Sequence, residues 1–140
     1  MSIEGRINVD CLFHDRDGTA SLKVVSLQDS KEYTTGKVAI VHGTAGTTNV
    51  TFTTSDAGAP SSTYRNASGE LVSFSQITTV ALKATSANRS LVLTDDDQNL
   101  SLTVIGLSLL VYPCSVAEPG TIAVRSASGT ASYTILLLGT

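Results

Sequence analysis

A chain of 140 residues, 41% hydrophobic and only 15% charged, is long enough to bury a core without disulfides or metals, so a single domain over residues 1–140 is expected. Its net charge is −3 and its nine Lys and Arg residues are scattered, with no basic run and no basic amphipathic segment, which argues against nucleic-acid and membrane partners. With no Trp and 5% aromatic residues, the core is expected to be aliphatic.

In chain order, Ile7, Val9, Cys11 and Phe13 alternate with Asn8, Asp10, Leu12 and His14, which predicts a strand from Arg6 to His14 with one face on a core. Asp15 to Gly18 reads as a tight turn and Thr19 to Leu27 as the return strand. A polar turn at Gln28 to Lys31 then leads to a strand between Glu32 and His42, broken at Gly36. Gly43 to Thr47 reads as a flexible connection into a strand at Asn49 to Thr54, and Ser55 to Thr63 as a loop. Tyr64 to Val72 has the pattern of a hairpin turning at Asn66 to Gly69.

Further strands are predicted at Ile77–Ala84, Ser90–Thr94, Leu100–Ile105, Leu107–Tyr112, Thr121–Ser126 and Ala131–Leu138. Gly106, inside an apolar run, marks a bulge or a strand changing sheets. The fold expected is all-β: an antiparallel β-sandwich, or a jelly-roll or barrel-like domain, of about nine or ten short strands. Leu107, Leu109, Leu110 and Val111 are apolar at both parities, so that run is central or covered by a partner.

The chemistry-bearing residues are sparse. Only His14 and His42 could serve a serine nucleophile as base, and neither lies in a nucleophile elbow, so no catalytic residues are assigned and no enzyme is expected. Cys11 and His14 stand three apart and point to opposite faces of a strand, which disfavours a shared ion with His42 and Cys114. Two free thiols are favoured over a Cys11–Cys114 bridge. Asp95, Asp97 and Asn99 alternate as oxygen ligands do in calcium loops, but the later Gly and Glu of that motif are missing, and a turn is the favoured reading. No cofactor is implied. The opening residues lack the apolar core of a secretory signal, so synthesis in the cytoplasm is expected.

The connectors Thr44-Ala45-Gly46-Thr47-Thr48 and Ser128-Gly129-Thr130-Ala131-Ser132 join compact strands. Together with Leu12-Phe13-His14-Asp15-Arg16-Asp17-Gly18-Thr19-Ala20 and Glu32-Tyr33-Thr34-Thr35-Gly36-Lys37-Val38, they give a texture that resembles the small β-rich structural proteins of tailed-phage particles. The resemblance covers the chain in style and rests on no diagnostic motif. It implies a virion structural protein: a decoration or cement protein first, a head–tail connector or tail component second. Its partners would be further copies of itself and other virion proteins such as the major capsid protein. The candidate interface residues are then Leu107, Leu109 and Val111 in one apolar run and Ile135 and Leu137 in another. The rival expectation is a non-catalytic module binding carbohydrate or a cell surface through the 55–63 and 95–99 loops.

Overall fold

The computed structural model describes the backbone of residues 3–17, 20–54, 64–66 and 68–140, and the side chains of these from residue 36 onward. The described chain is all-β and antiparallel throughout, with twelve strands. It divides into two compact units, Met1–Thr35 and Gly36–Thr140.

The first unit is one long hairpin of β1 (Ile3–Asp17) and β2 (Ala20–Thr35). Three residues of one expected turn and all four of another are strand instead. Asp15, Arg16 and Asp17 pair with Leu22, Ser21 and Ala20, and Gln28 to Lys31 pair with Asp10, Val9, Asn8 and Ile7. Polarity suggested turns there, yet Asp15 to Asp17 and Gln28 to Lys31 hold no Gly or Pro that would force the backbone out of the extended region, and Gly18, the last residue of the first expected turn, lies outside the described residues. The register shifts between Phe13 and His14, whose partners are Val25 and Lys23, so β2 carries one extra residue. The 55–63 loop lies outside the described residues.

The second unit holds the remaining ten strands: β3 (Lys37–Ala45), β4 (Val50–Phe52), β5 (Tyr64–Arg65), β6 (Leu71–Val72), β7 (Ile77–Ala84), β8 (Leu91–Asp95), β9 (Leu100–Val104), β10 (Leu109–Val116), β11 (Ile122–Ser126) and β12 (Ala131–Gly139). Gly36 separates β2 from β3, as its place in the sequence predicts. Two four-stranded sheets stack on each other. One has long strands in the order β10–β7–β12–β3, the other short strands in the order β4–β11–β8–β9. The arrangement is sandwich-like, and neither sheet closes into a barrel.

The core between the sheets is aliphatic, as composition predicts. Val80, Leu82, Ile135 and Leu137 of the long-strand sheet meet Leu91, Leu93, Ile122 and Val124 of the short-strand sheet, all buried. Two aromatics join the layers, with the Phe52 and Tyr133 rings 6.2 Å apart in a T-shaped contact. Tyr133 stands opposite Gly43 in the ladder, and a Cβ on Gly43 would lie 2.7 Å from its hydroxyl oxygen. This corrects the expected flexible connection at Gly43–Thr47: β3 runs on to Ala45, and Gly43 makes room for a tyrosine ring rather than a turn. The small β5–β6 sheet turns at Asn66–Gly69 as predicted. There the Asn66 side-chain oxygen accepts from the Ser68 and Glu70 amides, and Gly69 takes a φ of 83°.

The chain changes sheets at residues 105–108, between β9 and β10. The Ser108 amide donates to the Ile105 carbonyl at 3.0 Å, closing a β-turn around Gly106 and Leu107.

Candidate functional site: the outer face of the long-strand sheet

Register fixes which side chains leave the core. On the outer face of the long-strand sheet, Val111 pairs with Ala81, Ala81 with Leu136 and Leu136 with Ile40, so one row of four aliphatic residues crosses all four strands. The adjacent row is Pro113, Thr79, Leu138 and Val38. On the other flank the row is Leu109, Lys83, Thr134 and His42. Ala81 and Leu138 are buried yet stand outside the inter-sheet core cluster, as this orientation requires. Leu109 remains 54% exposed and Ile40 37% exposed.

The opposite face of the sandwich differs. There the rows are Thr51, Ala123, Thr94 and Ser101, then Arg125, Val92 and Thr103. Hydroxyl groups dominate that face and aliphatic groups dominate the other. A solvated outer face follows the hydroxylated pattern. On the aliphatic face Ile40, Leu109 and Pro113 are exposed and Val38, Val111 and Leu136 half-buried, which leaves an apolar patch of the kind that marks a contact surface. Four strands at about 4.8 Å spacing, over some 20 Å of strand length, give this face roughly 400 Å².

The interface candidates separate. Leu109 and Val111 lie on this face, and Leu107 is exposed in the turn that precedes β10. β10, which carries Leu109 and Val111, stands at the edge of its sheet among the described strands, so of the two readings of this run the central one is excluded. Ile135 and Leu137 do not belong to the surface. Both are fully buried in the domain's own core, on a strand paired along both sides. The outward residues of that run are Leu136 and Leu138. Sequence reasoning missed these two, together with Ile40, Ala81, Val38 and Pro113; the available signal was that the 135–138 run is apolar at both parities.

The 95–99 segment is a hydrogen-bonded turn. Asp95 is 2% exposed. One carboxylate oxygen accepts from the Asp97 and Gln98 amides at 3.1 and 3.3 Å, and the other accepts from the Tyr112 hydroxyl at 2.8 Å. Asp97 and Asn99 are exposed, and Asn99 takes a φ of 49°. Asp95 therefore points inward to Tyr112 and does not converge with Asp97 and Asn99 on an ion. Among the described residues, no group of three or more His, Cys, Asp and Glu could hold a metal.

Desolvation and the adjacent Asp95 carboxylate push the Tyr112 phenol up to about 12, and the same two causes push the half-buried Cys114 thiol up to about 12. Cys114 is a free thiol whose sulfur lies 3.5 Å from the Ile77 carbonyl oxygen. Burial also raises the Tyr133 phenol.

His42 projects from the outer face, its Nδ1 2.9 Å from the Thr134 hydroxyl, whereas Cys114 packs against the core. The two stand on opposite sides of the sheet, so they do not share an ion. Their imagined partners Cys11 and His14 lie outside the described side chains. A hydroxyl–imidazole pair acts as a nucleophile only when a third group orients the ring. The neighbours of His42 on this face of its own strand are Ile40 and Thr44, neither of them a carboxylate. Set against known proteins, the chain matches no family model, no curated protein and no solved structure.

Proposed function

We propose that the chain is a virion structural protein that works by assembly. A capsid decoration or cement role ranks first, and a head–tail connector or tail component second. One observation carries this reading: the two outer faces of the sandwich differ, one hydroxylated and one aliphatic across all four strands. A protein that performs its task alone gains nothing from a partly exposed aliphatic face, whereas a building part gains a contact surface. The low charged fraction, 15%, points the same way, because neighbouring copies repel each other little. The texture shared with small tailed-phage structural proteins supplies the class.

Mass photometry of the purified chain at micromolar concentration, with negative-stain microscopy of the same sample, tests the reading. A defined oligomer, ring or sheet supports it. A strict monomer under every condition counts against it.

A further inference from the structure

We infer that the aliphatic outer face of the β10–β7–β12–β3 sheet is occupied by the same face of a second copy of this chain. The inference rests on the assembly reading and names its contact surface. Two features favour a copy over an unlike partner, and a third favours the face over the strand edge.

The first is area. Two faces of roughly 400 Å² each give at most about 800 Å² of contact, the size of a weak, concentration-dependent association rather than of an obligate one. A lone partner segment laid across the face would cover only a fraction of that.

The second is charge. Lys83 is the one Lys or Arg in the three rows, and no Asp or Glu accompanies it. An acidic or basic partner would find one charge to pair with and two aliphatic rows to desolvate. A copy of the same face matches aliphatic row with aliphatic row. Lys83 lies in the flanking row, off the centre of the patch, so a two-fold axis through the aliphatic rows does not stack the two ammonium groups on each other.

The third is the character of the edge. Pro113 on β10 has no N–H to offer a strand added alongside, and it takes the place proline occupies on edge strands that resist extension. Contact through the face is left as the route by which the Val111 and Pro113 side chains lose water.

The test is sedimentation velocity over a concentration series from low to high micromolar, on the full chain and two variants. Ile40→Thr/Leu136→Thr removes aliphatic bulk from the central row while placing β-branched residues, suited to a strand, at both positions. Thr103→Lys places a charge on the hydroxylated face and serves as control. The wild type is expected to form dimers as concentration rises. The double variant should need about tenfold more protein to do so, and the control should match the wild type.

If the wild type associates and the double variant associates equally well, this face is not the contact surface, although the assembly reading stands. If the wild type stays monomeric throughout, the second-copy proposal is overturned. Loss of association in Thr103→Lys alone would move the interface to the opposite face. A melting curve for each variant certifies folding. Should the double variant not melt cooperatively, Ile40→Thr alone, on an edge strand, is read by the same criteria.

Discussion

Tyr112 on β10 donates its hydroxyl hydrogen to the buried carboxylate of Asp95 on β8, 2.8 Å away, and so ties the edge of one sheet to the other. The same carboxylate holds the 95–98 turn through two backbone amides. A buried carboxylate is tolerated only when its lone pairs are used, and here three donors use them.

Tyr112→Phe removes one donor and leaves the charge. It is expected to lower stability by roughly 1–3 kcal/mol, read from urea unfolding. Asp95→Ala should cost more, because it also strips the turn of its acceptor. In the double variant the two losses should not add, and additive losses would show that the pair does not interact.

Leu136 and Leu137 are neighbours in sequence with opposite fates, one on the outer face and one fully buried in the core. Leu137→Ala is expected to cost about 2–5 kcal/mol, the usual range for a large core deletion. Leu136→Thr should stay within about 1 kcal/mol, since it opens no internal cavity. Equal losses at the two positions would overturn the register on which the aliphatic rows depend.

Most strands of the second unit are legible in the sequence because their signals are local. Ile77–Ala84 and Ala131–Gly139 alternate or run apolar between turn residues, and Asn66 and Gly69 mark their own hairpin. The features that sequence misses depend on partners distant along the chain. Gly43 reads as a breaker until Tyr133 is known to cover it. Gln28 to Lys31 read as a turn until their pairing with Ile7 to Asp10 is known. The candidate face is half legible. Leu107, Leu109 and Val111 lie in one run, but Ile40, Ala81 and Leu136 join them only through register across four strands. A run apolar at every position cannot say which parity faces inward, which is why sequence alone points to Ile135 and Leu137 where the surface residues are Leu136 and Leu138.

At the sheet-changing turn, two adjacent residues carry opposite constraints. Gly106 needs to be small: a Cβ there would lie 2.6 Å from the Ser86 carbonyl oxygen and closer still to that of Ala87. Leu107 has a side chain yet takes a φ of 62°, a region in which L-residues are strained. Gly106→Ala is expected to destabilise by roughly 1–3 kcal/mol, because the crowded atoms are backbone and cannot step aside. Leu107→Asn should instead raise stability by up to about 1 kcal/mol, since asparagine tolerates this conformation and the leucine side chain is mostly exposed. Thermal melts of both variants check the pair; a stabilised Gly106→Ala or a destabilised Leu107→Asn would contradict the turn geometry.

Cys114 and Tyr112 point to an alkaline limit on stability. In the fold both groups resist ionisation to about 12, against ordinary values of 9.0 for the thiol and 10.0 for the phenol, through burial and the nearby Asp95 carboxylate. Below about pH 9 both are neutral in the folded and unfolded states, so they add no pH dependence. As pH rises from 9 towards 12, the unfolded chain loses these protons first and the fold loses stability. Water screens the effect, because neither group is fully buried. The midpoint of urea unfolding should therefore fall across this window, and fall less in Tyr112→Phe/Cys114→Ser. The same burial protects the thiol, because a group held near 12 rather than 9.0 presents far less of the reactive thiolate. In a Cys11→Ser background at pH 8, native protein should react with iodoacetamide more slowly than urea-unfolded protein, by up to about a thousandfold. Equal rates in the two states would place Cys114 in open solvent, away from the Asp95 carboxylate.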